Sequence, residues 1–213
     1  MDALKRFDAL SESDKQIILD RHRDINVDHD WWDCVYSGFT EDMKAVGIAV
    51  TRMYFSGFWS QGDGACFEGR VDDWRLFLES LGYTDELMVQ HFADHASFSV
   101  SHSGHYYHEH CTRFDAEFYL PDQYVDEEHF LEYHGFGEEL RDASLIAVLS
   151  KFDGRKLEDE FAEAFKDHMR DLYRRLENEY EYLTSDEAVL EALHANDMLD
   201  QIIDEYTEEG ETV

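Results

Sequence analysis

The chain has 213 residues, of which 50 are Asp or Glu and only 18 are Lys or Arg, so its formal net charge is −32. A surface this negative repels nucleic acid and acidic membranes and attracts basic proteins. Hydrophobic residues at 43% and aromatic residues at 15% exclude a wholly disordered acidic chain, because disorder goes with few aromatics. The composition therefore predicts a folded protein with a basic binding partner.

Targeting and redox signals indicate the cytoplasm. The start, MDALKRFDAL, lacks the apolar stretch of a signal peptide, and no apolar run is long enough to span a bilayer. The three cysteines, Cys34, Cys66 and Cys111, are widely separated and odd in number, which is typical of reduced thiols. We therefore expect a cytoplasmic protein.

Helical periodicity marks the first part of the chain. Ser11 and Ser13 are candidate N-caps for a helix over 11–23. A second helix is predicted at 31–46, where apolar residues recur every three or four positions and Gly47 follows as a C-cap.

The pattern then alternates, which predicts a strand at 48–55. Asp63-Gly64 is a two-residue hairpin turn signal, because both residues tolerate positive φ. The chain is expected to return from this turn as a second strand toward Val71.

Two short helices and a second hairpin follow. Asp72 or Asp73 is the expected cap of a helix that ends at Gly82, and the next helix covers about 84–94. Alternation resumes in two further strands joined by a turn; these are predicted at 96–102 and 105–119, with Ser103-Gly104 between them. Two hairpins make a small antiparallel sheet.

The last part of the chain has helical periodicity. Thr184 and Glu187 form a capping box for one of its helices. The predicted segments are a helical stretch from 130 that stops at 153–154, the longest helix at 155–183, a helix at 185–195, and helical periodicity through 199–206.

The predicted class is α+β, a small antiparallel sheet of two hairpins flanked by helices, with an acidic helical C-terminal third. Residues 1–120 are predicted to form the α+β core with an aromatic, Gly-rich hairpin. Residues 121–213 are predicted to be a helical acidic region packed on that core rather than an independent domain. The helix at 155–183 is long enough to serve a homodimer as well as an intramolecular core.

Metal-ligating residue types are concentrated at 102–111, as His102, His105, His108, His110 and Cys111. In a hairpin turning at Ser103-Gly104, His102 lies opposite His105, whereas His108 and His110 share a different face. Two ligands at i and i+2 do not complete a tetrahedral zinc site, so a structural histidine pair is favoured. A metal site needs His91, His95 or a remote carboxylate to converge there.

The glycines of the 57–69 segment, Gly57, Gly62, Gly64 and Gly69, invite comparison with phosphate-binding loops. The segment lacks the Lys and Ser/Thr of a Walker loop and the glycine order of a dinucleotide site, which favours structural glycines in a tight hairpin. Cys66 lies in the same segment without a marked base, so a buried thiol is expected rather than a nucleophile.

Acidic residues near the C-terminus are the predicted partner-binding site. No Lys or Arg follows Arg175, whereas an ordinary exposed helix mixes signs for i,i+4 pairing. Carboxylates on such helices can imitate the charge spacing of DNA, about one charge per 1.7 Å of axis. The predicted set is Glu177, Glu179, Glu181, Asp186, Glu187, Glu191, Asp197, Asp200, Asp204 and Glu205.

Two stretches carry a family resemblance: Asp30-Trp-Trp-Asp-Cys-Val-Tyr36, and the hairpin segment from Phe55 to Gly69. Over roughly 15–120 the chain resembles a family of small acidic proteins from phages and mobile elements, whose members are often labelled as the antitoxin of a toxin–antitoxin stability system. The resemblance implies no catalytic residues. In composition alone, the chain is also similar to phage DNA-mimic inhibitors of restriction and CRISPR systems.

The sequence thus predicts an acidic protein that blocks a basic, nucleic-acid-binding host defence protein by presenting a DNA-like surface. It is not expected to be an enzyme, to need a cofactor or metal, or to bind nucleic acid or membranes directly. If a phage encodes it, the compartment is the host cytoplasm. The alternatives are an antitoxin for one specific toxin, and a metal-binding protein or enzyme using the His102–Cys111 hairpin. Acidity that reflects salt adaptation or solubility is a further alternative.

Overall fold

The structure is a computed structural model that describes residues 3–120 and 143–211. In this part of the chain, nine α-helices and one short 3-10 helix accompany a four-stranded antiparallel sheet. The predicted α+β class is therefore confirmed, including the helical C-terminal region. Among the described helices, none combines the length and the apolar character that crossing a membrane requires.

The helices begin where the sequence supplies capping side chains. Ser11 and Asp73 accept hydrogen bonds from first-turn backbone N–H groups, as predicted, and Asp85 caps in the same way. The α-helices are α1 (Ala3–Asp8), α2 (Glu12–Arg21), α3 (Asp33–Ala45), α4 (Trp74–Ser80), α5 (Glu86–His95), α6 (Ala143–Leu149), α7 (Gly154–Leu183), α8 (Asp186–Ala195) and α9 (Leu199–Glu211).

Two helix predictions do not match the described structure: one is wrong, and one lies outside the described residues. The capping box at Thr184 is wrong, because Ser185 is the N-cap and accepts from Ala188 N, while the Thr184 hydroxyl donates to the Tyr180 carbonyl. The predicted helix start near residue 130 lies outside the described residues. So does most of the predicted stretch up to Ala143, where α6 begins.

The sheet has the strand order β1-β2-β3-β4, with every neighbour antiparallel. The strands are β1 (Ile48–Phe55), β2 (Ala65–Val71), β3 (Ser97–His102) and β4 (Thr112–Glu117). The β1–β2 register shifts between Val50 and Arg52. Two hairpins joined by α4 and α5 thus form the predicted small sheet.

Both predicted two-residue turns are wrong. The β1–β2 connection is a loop at 56–64, and neither Asp63 nor Gly64 has the positive φ that such a turn needs. The β3–β4 connection is a loop at 103–111 that contains a 3-10 turn, and His102 pairs with Thr112 rather than His105. We call them loop A (56–64) and loop B (103–111).

The described contacts divide the chain into two compact units. Residues 36–174 form the sheet unit, whose core is aromatic. Phe161 and Phe165 on α7 are fully buried and meet rings of the sheet and of α4 and α5. The long helix is therefore core within this unit, which agrees with its predicted apolar face.

Residues 1–35 and 175–213 form the helical unit. Its core joins helices from the two ends of the chain, since Phe7, Ile18 and Leu19 pack with Val189, Leu193 and other C-terminal residues. Burial of such apolar side chains is the main stabilising term for a small helical unit. The predicted boundary at 120/121 borders residues outside the described part and stays a prediction.

Candidate functional site

Loops A and B meet at one end of the sheet, because antiparallel order places both connections there. Gly62 approaches the Tyr106 ring so closely that a Cβ would lie 2.9 Å from it, and a Cβ on Gly64 would lie 2.8 Å from the His108 ring. Such contacts require glycine. The glycines of the 57–69 segment at this point are structural, as predicted.

Asp63 organises loop A from within. One of its carboxylate oxygens accepts hydrogen bonds from the backbone N–H groups of Trp59 (2.9 Å) and Ser60 (2.6 Å). The resulting turn presents the Trp59 side chain to solvent with 72% of its surface exposed. The predicted turn residue thus has a different role, as an acceptor that caps the loop.

A His-Glu-His turn lies at the end of loop B. His108 caps the 3-10 helix Glu109–Cys111, since its Nδ1 accepts from the His110 backbone N–H at 3.2 Å. The two imidazole rings stack with centroids 4.8 Å apart. Glu109 points inward, with 11% of its side chain exposed. Side-chain ligand atoms of these three residues lie within 4.8 Å of one another.

Arg170 on α7 holds the inward carboxylate. Its guanidinium donates to Glu109 Oε1 at 3.0 Å, to Asp167 Oδ1 at 2.7 Å and to Glu163. These carboxylates raise the pKa of Arg170, and Arg170 lowers the pKa of Glu163. A buried carboxylate requires such a partner, because an unpaired charge away from water is costly.

An open cavity of about 540 Å³ lies beside this pair. Loop A, loop B and α7 contribute its walls, and the chemically active lining residues are Asp63, His108, Glu109, Asp167, Arg170 and Arg174.

The other histidines that the sequence analysis considered as metal ligands do not line this cavity. His91 bonds to the Tyr119 carbonyl, and its ring lies 5.3 Å from the tilted His95 ring; His102 bonds to the Tyr106 carbonyl.

Cys66 lies on β2 and is fully buried. Burial raises the pKa of its thiol to about 12, with a smaller contribution from Cys111. A thiol with so high a pKa stays protonated at neutral pH and is a poor nucleophile. The expectation of a buried structural thiol is confirmed, and the three cysteines are free.

The ten predicted partner-binding carboxylates all belong to the helical unit. Most are exposed, whereas Glu177 and Glu179 are half-buried. Asp197 adopts a positive φ of 57° between α8 and α9. The others lie on the C-terminal turns of α7 (Glu177, Glu179, Glu181), on α8 (Asp186, Glu187, Glu191) and on α9 (Asp200, Asp204, Glu205).

Basic partners for part of this set come from the N-terminus, which corrects the inference that the set has none. Arg6 bonds to Asp200 at 2.8 Å and also to Asp204. Arg23 bonds to Asp186 and to the Thr184 carbonyl. These three carboxylates therefore tie α1 and the turn that follows α2 to the C-terminal helices.

The carboxylates without such pairs form a smaller group. Among the described residues, no ion pair reaches its members, and we call them the acidic face: Glu177, Glu179, Glu181, Glu187, Glu191 and Asp197. Glu205 accepts instead from Gln201 at 2.8 Å. The predicted set of ten is thus divided into a paired group (Asp186, Asp200 and Asp204), the six residues of the acidic face, and Glu205.

Tyrosines near the acidic face differ in exposure. Tyr182 has 58% of its surface exposed. Tyr180 packs edge-on against Trp31 with ring centroids 5.6 Å apart, and the Tyr206 hydroxyl donates to Asp14. Of these three tyrosines, Tyr182 is therefore the one whose side chain is mostly exposed.

Arg170 and Asp167 are site residues that the sequence reasoning missed. They belong to the long helix, and Arg170 is 61 positions from Glu109. The available signal was Glu109 itself, a carboxylate placed between His108 and His110. The carboxylate grouped with His108 and His110 is thus their sequence neighbour Glu109, and not the remote carboxylate considered in the sequence analysis.

Replacing Arg170 with glutamine is expected to lower the melting temperature at neutral pH, and the difference should shrink in acid. Arg170 lowers the pKa of Glu163 below its ordinary value of 4.5. A carboxylate of this kind stabilises the fold above its unfolded pKa, and the contribution is lost as pH falls through the folded pKa. Thermal melts of both proteins from pH 7 to pH 3 check this.

The matched control is Arg113→Gln, which removes an exposed pair with Asp115. This pair is expected to change the melting temperature little at any pH, because exposed ion pairs contribute little. An Arg170→Gln deficit that is equal at pH 7 and pH 3 would show that packing, not charge, is responsible.

Comparison with known proteins identifies one family. A profile described as Domain of unknown function (DUF8835) matches residues 31–186, which include the whole sheet, loops A and B, and α7. No curated protein and no solved structure matches the chain. Because the matched region covers well over half of its residues, the chain belongs to the DUF8835 family.

Proposed function

We propose that the protein binds and blocks a basic, nucleic-acid-binding protein of the host's defence, such as a restriction or CRISPR effector, through the acidic face of the helical unit. The observation that carries this proposal is the set of unpaired carboxylates at the end of α7 and on α8. The net charge of −32 and the resemblance to phage proteins agree with it.

The unpaired carboxylates follow like-charged rows. Glu177 and Glu181 are four residues apart on α7, and so are Glu187 and Glu191 on α8. Like charges at i,i+4 destabilise a helix by about 0.2–0.5 kcal/mol per pair, whereas a lysine at one position would stabilise it. The rows therefore cost stability without a compensating contact inside the described chain, and a basic partner supplies one.

The paired group has a different role in the same unit. Arg6 and Arg23 hold α9 and the α7–α8 connection, so the paired carboxylates stabilise the unit instead of facing a partner. This division reduces the predicted site from ten residues to the acidic face. Val189 and Leu193, on the same helix as Glu187 and Glu191, are buried in the core of this unit, which holds α8 in place.

Tyr182 supplies an amphipathic anchor between Glu181 and the α8 row. Tyrosine is enriched at interface hot spots because its ring buries area while its hydroxyl stays hydrogen-bonded. The surrounding negative field accelerates association with a basic surface and makes that association salt-sensitive. Inhibition by this means is stoichiometric and involves no chemical step.

Affinity capture tests the proposal. The immobilised protein is incubated with lysate of its native host at low and at physiological salt, and the retained proteins are identified by mass spectrometry. We expect the immobilised protein to retain a nucleic-acid-binding protein. Added duplex DNA should release this partner, because phosphates and carboxylates compete for the same basic groups.

Other results would contradict DNA mimicry. Retention of one small protein that duplex DNA does not displace supports the antitoxin alternative. Retention that persists unchanged at 1 M salt, where charges are screened beyond about 3 Å, would show that the acidic face does not determine binding of the partner.

A further inference from the structure

Loop B offers a second site, independent of the acidic face. We propose that His108, Glu109 and His110 bind a divalent first-row transition-metal ion through two imidazoles and one carboxylate. Two histidines and one carboxylate suit Zn²⁺ and non-haem Fe²⁺, and imidazole also suits Cu²⁺ and Ni²⁺. The residues follow one another in a single 3-10 turn, so one short segment carries the whole ligand set.

The distances between the ligand atoms are close to those of a metal complex. His110 Nε2 lies 3.6 Å from Glu109 Oε1, and all three side chains offer atoms within 4.8 Å. Bonds of about 2.0–2.2 Å in tetrahedral geometry place neighbouring ligand atoms roughly 3.4 Å apart. A separation of 4.8 Å must close by about 1.4 Å to reach this distance, and the His110 side chain has freedom to move, since 73% of it is exposed.

Arg170 acts as a positioning residue for the carboxylate. It donates to Glu109 Oε1, and among the described residues no hydrogen bond reaches Oε2. Ligating carboxylates in metal sites are commonly held by such outer contacts. The positive charge of Arg170 is offset by Asp167 and Glu163, so it does not leave the site repulsive to a cation.

His108 must exchange one contact on binding. Its Nδ1 accepts from the His110 N–H, so the neutral ring carries its proton on Nε2. A metal bound at Nδ1 displaces this long hydrogen bond of 3.2 Å, and a metal at Nε2 requires the other tautomer. The His110 N–H belongs to an exposed residue, which allows water to replace the lost acceptor.

The cavity described above opens beside the turn. His108 and Glu109 line it, and its volume of about 540 Å³ leaves room for water or a small ligand on their side of the turn. Three protein ligands with an open position are typical of reactive rather than structural metal sites. The negative field of the whole chain further concentrates cations at its surface.

The test uses the full chain without a histidine tag, stripped by a chelator and titrated with Zn²⁺ by calorimetry and with Co²⁺ by visible absorption. We expect one saturable equivalent per chain. His108→Ala and His110→Ala should each raise the Kd roughly a hundredfold, and Arg170→Gln about tenfold, as outer contacts typically do. His105→Ala, an exposed histidine of the same loop, should bind like the wild type.

Three results would overturn the proposal. The first is the absence of saturable binding by the wild-type chain. The second is equal affinity in the double variant His108→Ala/His110→Ala, whose fold is verified by its circular dichroism spectrum. The third is a thiolate charge-transfer band with Co²⁺, which would assign the ion to a cysteine such as Cys34 or Cys111 instead of Glu109. The acidic face is unchanged in all these variants, so this test and the capture test fail independently.

Discussion

Replacing Glu181, Glu187 and Glu191 with glutamine is expected to abolish retention of the partner at physiological salt. The substitutions remove three charges from the acidic face and interrupt both like-charged rows. Loss of carboxylates that contact a basic surface lowers the association rate and removes charge-assisted hydrogen bonds. The measurement is the amount of partner captured by the variant relative to the wild type.

The same variant is expected to be slightly more stable than the wild type. Removing the repulsion within both pairs, Glu177–Glu181 and Glu187–Glu191, should raise the free energy of unfolding by about 0.4–1 kcal/mol, from which the lost interaction of Glu187 with the N-terminus of α8 subtracts a part. A rise in stability together with a loss of binding separates a functional surface from a structural one. Chemical denaturation of both proteins gives this comparison.

The matched control neutralises three carboxylates of the sheet unit, Glu41→Gln, Asp94→Asn and Glu158→Gln. These residues are exposed, and within the described chain they form no ion pair. The control changes the net charge by the same amount, so it should retain the partner. Equal losses in the two triple variants would mean that total charge, rather than the acidic face, governs binding.

Replacing Phe161 with alanine is expected to destabilise the sheet unit by about 3–5 kcal/mol, the usual range for a buried phenylalanine. Phe161 is fully buried on α7. Its ring centroid lies within 6.3 Å of five other rings, those of Trp74, Phe77, Phe92, Phe98 and Phe118. The variant loses these contacts and leaves a cavity that rigid neighbours cannot fill.

Trp59→Ala is the control for removing a large aromatic side chain. Trp59 is mostly exposed, so its loss should change the free energy of unfolding by no more than about 0.5 kcal/mol. Urea unfolding monitored by circular dichroism measures both variants. A Phe161→Ala midpoint equal to that of Trp59→Ala would contradict the assignment of Phe161 to the centre of the core.

Local signals predicted the secondary structure well. The caps at Ser11 and Asp73, the strand at 48–55 and the long helix all lie where the sequence analysis placed them. Each depends on hydrogen bonds or side-chain periodicity within a few residues. Such contacts form whatever the rest of the chain does, so the sequence alone reveals them.

The turns illustrate where local reasoning fails. Asp63-Gly64 has the composition of a tight hairpin, yet the Asp63 carboxylate accepts from Trp59 and Ser60 and closes a longer loop. Loop B lies against this loop through Gly62 and Gly64. A contact between loops about 40 positions apart in the sequence outweighed the local turn preference.

The acidic surface was likewise predictable from the sequence only in part. The acidity of residues 176–213 is visible in composition, but the pairing of Arg6 with Asp200 spans 194 positions and has no local signature. Packing of α1 and α2 against α8 and α9 decides which carboxylates are neutralised. Composition alone therefore predicted more unpaired carboxylates than the structure contains among its described residues.

By itself, the sequence determined the α+β class, the helix and strand periods, the negative charge and the structural character of Cys66 and the glycines, because these follow from local geometry and from composition. Tertiary structure alone decided which carboxylates remain unpaired and how Glu109 joins His108 and His110 beside Arg170. Charges and ligands act over a few ångströms in space, and distance along the chain does not report distance in space until the core has formed.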